Sequence, residues 1–154
     1  VVGRAMRGEC HGGSMLLHPV VHLHLFNSCG ELYLQKRPAW KDIQPGRWDT
    51  AVGGHVDWGE EPLAALRREV REEVGVTDFE PQHVLTYLFE SERERELVYV
   101  YKTVYDGPVV PSGELDGGRF WTLREIAEGV GGGIFTPNFE GEIRRVAELP
   151  DVGR

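Results

Sequence analysis

Residues 54–76 read GHVDWGEEPLAALRREVREEVGV, and the fold is decided in this stretch. Pro62 suits the first turn of a helix, where its missing N–H is not needed. From there Leu63, Leu66, Val70 and Val74 recur at helical spacing and define one apolar stripe. Gly75 stands where a left-handed C-terminal cap belongs. A helix over 62–74 follows. On it Glu69 and Glu73 are one turn apart and Glu72 is three residues from Glu69, so three carboxylates share a flank, with Arg67 and Arg71 toward the other. Taken alone, the pattern describes a charged surface helix more readily than a cation platform. The second reading has a definite chemistry. A hard, oxygen-seeking cation such as magnesium relieves the repulsion between clustered carboxylates, bridges a diphosphate and activates water.

The flanks supply strands and turns. Val20 to Phe26 (VVHLHLF) alternates in its second half as a strand does, Asn27-Ser28-Cys29-Gly30 reads as a turn, and Glu31 to Gln35 (ELYLQ) is the partner strand. Residues 36–47 look like a loop, and Trp48 to Val52 like a short strand ahead of Gly53-Gly54. Further strands are expected near His83–Phe89, Leu97–Tyr105 and Phe120-Trp121. Thr122 can cap a short helix to Glu128, and Thr136-Pro137 opens a last helix to about Leu149. Residues 1–15 read as a loose lead-in to a single domain over 1–154. Strands mixed with a few helices imply an α/β layered fold built on a mixed sheet.

Gly54, Glu60 and the run Arg68-Glu69-Val70-Arg71-Glu72-Glu73-Val74-Gly75-Val76 resemble the Nudix box: a Gly, five residues, a Glu, seven residues, then Arg-Glu-aliphatic-any-Glu-Glu-any-Gly-aliphatic. All its defined positions are met. The resemblance implies the Nudix fold, a mixed β-sheet sandwiched between α-helices, and metal-dependent hydrolysis of a diphosphate linkage. It further implies that Glu69, Glu72 and Glu73 hold Mg2+ or Mn2+ with the carbonyl of Gly53, that Glu72 or Glu73 activates the water, and that Arg68 orients the glutamates. Glu60 is implied as a carboxylate at the metal side or one layer behind it. A distal glutamate assists in some members; Glu114, six residues before Phe120, is the candidate here.

A second resemblance, to the Nudix-fold isopentenyl-diphosphate isomerases, rests on LFNSCGELYLQKR and PGRWDTAVGGHV. In those isomerases three histidines and two glutamates build a different metal site. His11, His18, His55, Glu94 and Glu96 fall at the matching positions, which makes His55 and Glu96 secondary metal candidates. The isomerases also carry a cysteine immediately before the Gly-His pair, where this chain has Gly53. That departure, with the intact box, favours hydrolysis over an isomerase-like activity. A catalytically silent domain that binds a nucleotide or a protein is the third reading. His22 and His24 read as ordinary strand histidines.

On the substrate side, Arg37, Lys41 and Arg47 are the candidates for phosphate oxygens, Arg37 because a guanidinium grips phosphate with two parallel hydrogen bonds. Trp40, Trp48 and Trp58 serve equally as base-stacking surfaces or core residues. The net charge of −8 argues against a nucleic-acid polymer or an anionic membrane as partner. A small phosphorylated substrate is compatible with it when a cation reverses the local field. Self-association as a homodimer is left open. Two cysteines, Cys10 and Cys29, are too few for a disulfide framework and point to a reducing, cytoplasmic setting.

Overall fold

The computed structural model describes residues 17–36, 46–90, 95–111 and 117–150. Its spine is β1 (Leu17–Phe26), which β2 (Leu32–Lys36) follows through a turn. Asn27 sets that turn by accepting the amides of Cys29 and Glu31 on its side-chain oxygen, and Gly30 takes a φ of 80°. The two strands pair only at Phe26 and Leu32 and then part. Into the wedge go β3 (Trp48–Thr50), on β2, and β4 (Val52–His55), antiparallel on β1. The single strand expected over 48–52 is therefore two. It changes partner at Ala51 and continues through both glycines. Gln35, nearly buried, donates its side-chain amide to the carbonyls of Thr50 and Ala51, each at 3.1 Å, where the ladder is interrupted.

The other edge of β1 pairs in parallel with β6 (Arg95–Val104), and β6 pairs antiparallel with β5 (Gln82–Glu90). β7 (Gly118–Trp121) lies against β2. The result is a seven-stranded mixed sheet in the order β3-β2-β1-β6-β5, with β4 on β1 and β7 on β2.

Helices cover both faces. α1 (Pro62–Val74) buries Ala65, Leu66, Val70 and Val74 against Val21, Leu23, Leu25 and Val52. Leu63, expected on the buried stripe, is 43% exposed, and Ala65 lies inward instead. Gly75 ends the helix at φ 70°. On the other face α2 (Leu123–Gly129), capped by Thr122 and Glu125 reciprocally, and α3 (Pro137–Val146) pack Ile126, Phe139, Ile143 and Val146 onto Val20, Leu32, Leu34, Val98 and Val100. Each fully buried aliphatic or aromatic side chain contributes about 1.5–3 kcal/mol. α3 stops at Val146, three residues before the expected end, because Ala147 turns extended. The layered α/β arrangement expected from the sequence is the one found. Among the described residues no helix is long and apolar enough to cross a membrane.

Candidate active site

α1 and β4 meet at Gly54. A Cβ on Gly54 would come within 2.6 Å of Glu69 Cγ, so only glycine lets the helix lay Glu69 across the strand. One turn on, Glu73 lies within hydrogen-bonding reach of Glu69. Burial, and then the neighbouring Glu69 carboxylate, push the Glu73 carboxyl well above the usual carboxylate range. The Gly53 N–H and the Gln35 amide, 3.4 Å from Glu73 Oε1, oppose that rise without cancelling it. The two carboxyl groups thus share a site in which Glu73 keeps its proton near neutral pH. A hard cation would take the place of that proton, so the donor set fits magnesium or manganese.

Arg68 organises the rest. Its Nε and Nη2 grip the two oxygens of Glu60, each at 3.0 Å, while Nη1 reaches Glu69 Oε1 at 2.7 Å. Nη2 also donates to the carbonyl of His55, at 3.0 Å, which ties α1 to the end of β4. Glu72 stands 3.7 Å from Nη1 and is 53% exposed. Glu60 additionally accepts the Asp57 N–H, so both its oxygens are engaged in orienting the helix. Among the described residues no three His, Cys, Asp or Glu side chains are grouped so as to hold a metal ion by themselves. The box offers a carboxylate pair with Glu72 beside it, an open arrangement suited to an ion that retains several waters.

The remaining candidates are scattered. Arg47 is half-buried just ahead of β3. Arg37, Lys41, Glu114, His11 and Glu94 lie outside the described residues. His18 and His55 approach with ring centroids 6.3 Å apart, and Glu96 pairs with His18 in register across β1 and β6. Trp48 packs edge-on to Trp121 in the core, whereas Trp58 is 62% exposed.

Two features escaped the sequence. Gln35 backs Glu73, and only the alternation of β2 hinted at which way it faces. The second is a buried polar cluster on the opposite face. His22 and His24, two residues apart on β1, point into the interface with α3 and both meet Glu142, which is 3% exposed. His22 Nδ1 lies 3.0 and 2.9 Å from the two carboxylate oxygens, His24 Nε2 lies 2.7 Å from Oε1, and Tyr87 donates its hydroxyl to Oε2 at 2.6 Å. Reading these histidines as ordinary strand residues understated them. Burial alone would raise Glu142, but the hydrogen bonds and charge of the two histidines hold it well below the usual carboxylate range. Burial opposes charge on His22, yet Glu142, with the fields of Asp49 and Glu96, raises it above the usual value.

The NUDIX domain model matches residues 16–139. The chain belongs to the Nudix domain family. An uncharacterised Nudix hydrolase of Pseudomonas aeruginosa is 36% identical over 97 residues, which cover 62% of this chain and 57% of that protein. An isopentenyl-diphosphate Delta-isomerase of Serratia proteamaculans is 31% identical over 73% of this chain and 64% of its own length. The Nudix chain thus spans less than two thirds of either relative. In three dimensions it resembles the DR0079 protein of Deinococcus radiodurans, with a TM-score of 0.77 and 26% identity over 94% of this chain and 91% of the other. A MutT protein of Methanosarcina mazei shares the fold at a TM-score of 0.71.

Proposed function

We propose that this Nudix domain is a hydrolase that cleaves a diphosphate linkage in a small phosphorylated substrate by attack of water on phosphorus. The observation that carries this reading is the Glu69–Glu73 carboxyl pair, clamped by Arg68 and Gln35 and holding a proton whose place a cation would take. Glu69, Glu72 and Glu73, with the Gly53 carbonyl, would hold Mg2+ or Mn2+. Such an ion supplies Lewis-acid polarisation of the phosphoryl oxygens and a more acidic water. The protein's own part is positional. Arg68 fixes Glu69 and, through Glu60 and His55, the angle at which α1 meets β4. Glu72, the most exposed of the three, takes the proton from the attacking water. The new P–O bond forms as the bridging P–O bond breaks, and the products are two phosphorylated fragments, or a monophosphate and pyrophosphate. Arg37, Lys41 and Arg47 are the side chains for the phosphate oxygens, and Glu114 the distal assistant.

The second reading, prenyl-diphosphate isomerisation, is favoured by the 31% identity to the Serratia isomerase and by the closeness of His18 and His55. Against it stands Gly53. A Cβ there would meet the His22 ring at 3.4 Å, an ordinary contact, so the position has room for a Cβ but the chain carries no thiol there. The test is turnover with Mg2+ or Mn2+ on a panel of nucleoside diphosphate derivatives plus isopentenyl diphosphate. Hydrolysis of at least one nucleoside diphosphate derivative is expected, with phosphorylated fragments as products. Formation of dimethylallyl diphosphate would replace this reading with the isomerase. No turnover of any compound would leave a silent binding domain.

A further inference from the structure

We propose that Glu142 is a positioning residue for the carboxylate platform, acting across the sheet through His22 and the Gly53 peptide. The inference rests on the assignment of Glu69 and Glu73 as a cation platform. Gly53 pairs in register with His22 across β1 and β4. Its N–H lies close enough to the Glu73 carboxyl to favour the charged form slightly. Toward the α3 face, the place where its Cβ would stand lies 3.4 Å from Cδ2 and 3.7 Å from Nε2 of the His22 ring. The Gly53 peptide thus lies between Glu73 and the His22 ring.

That placement answers a weakness in β4. The strand is four residues long, and its central pair, Gly53 and Gly54, has no side chain with which to pack. Gly54 must stay bare for Glu69, and glycine is the residue with most conformational freedom to lose. The His22 ring is the side chain that faces Gly53 across the strand pair. An imidazole ring turns about two side-chain torsions unless something fixes it. Glu142 fixes it with two contacts at Nδ1, and is itself fixed by His24 and the Tyr87 hydroxyl. A carboxylate among Phe139, Ile143 and Val146 is an expensive way merely to fasten a helix, since an aliphatic side chain would pack there without needing partners.

The test uses the whole chain carrying Glu142→Gln, with Tyr87→Phe as a milder variant that loosens Glu142 from the protein edge. Val146→Ala, on the same helix, controls for loss of stability alone. Two quantities are read: amide hydrogen exchange at Gly53 in metal-free protein, and Mn2+ affinity by electron paramagnetic resonance. Glu142→Gln is expected to speed Gly53 exchange and weaken Mn2+ binding by on the order of threefold to tenfold, with Tyr87→Phe smaller in the same direction. Val146→Ala is expected to lower the melting temperature and leave Mn2+ affinity unchanged. Wild-type Gly53 exchange and Mn2+ affinity in a folded Glu142→Gln would overturn the proposal and reduce the cluster to a fastening of α3. Should Glu142→Gln not fold, the same two quantities in Tyr87→Phe decide. A wild-type protein that binds no Mn2+ would sink the platform reading, while Gly53 exchange would still decide whether Glu142 acts across the sheet.

Discussion

The two faces of the sheet treat the same side chain in opposite ways. On the α1 face Glu73 is buried beside another carboxylate and is pushed up; on the α3 face Glu142 is buried more deeply and is held down. Burial penalises ionisation at both. The difference is the company: Glu69 at one, two histidines and a tyrosine hydroxyl at the other. A carboxylate whose partners are all inside the chain is a finished structural element. A carboxyl pair that holds a proton where a partner is lacking is set up for a cation from outside. An acidic residue in the interior therefore says little about function until its partners are counted.

Substitutions on each face sharpen that contrast. Glu73→Gln is expected to lower hydrolysis on the order of 100-fold or more while leaving the metal-free melting temperature at or above the wild-type value, because it exchanges a carboxyl that keeps its proton for a neutral amide. Steady-state turnover and a thermal melt check both halves, and a matched loss of stability would erase the distinction between the faces. Glu142→Ala is expected to do the reverse in stability, costing about 3–5 kcal/mol by stranding His22 and His24, as a denaturant titration would show.

The Glu142 contribution also depends on pH. A carboxylate lowered on folding stabilises above its unfolded value and loses that stabilisation as pH falls below it. A histidine raised on folding contributes fully below its unfolded value and fades as pH rises through the folded one. The stability difference between wild type and Glu142→Ala is therefore expected to peak between about pH 4.3 and 6.5, and melts across that range would show it. Gly54→Ala is expected to displace Glu69 and weaken Mn2+ binding by about 10–100-fold with the fold intact, measurable by calorimetric titration. The smallest effect is expected at Thr122→Ala, which removes a helix cap that touches neither carboxylate cluster. It should cost about 1 kcal/mol and leave turnover unchanged, which calibrates what stability loss alone does.

Much of the α1 face was legible because its information is local. Pro62, the Leu66–Val70–Val74 stripe and Gly75 mark a helix, and glutamates three and four residues apart must share its flank whatever surrounds it. The resemblance to the Nudix box then attached a chemistry to that geometry. The break at Ala51 was not legible. It comes from the divergence of β1 and β2, and no property of Thr50 or Ala51 announces that a strand will change partners. Leu63 misled for a related reason: an apolar residue in the first turn fits the stripe, but at that end of α1 it stands 43% exposed.

The helix from Pro62 to Val74, its acidic flank and the strand character of β1 follow from the sequence itself, since helical and strand periodicities operate between near neighbours. Only the tertiary structure decided the fate of the charges on either side. Glu142 stands 120 residues from His22, and no periodicity links them. Whether an interior carboxylate is already satisfied or still calls for a cation depends on which distant side chains the fold delivers to it. That is settled when α3 closes on β1 and α1 closes on β4.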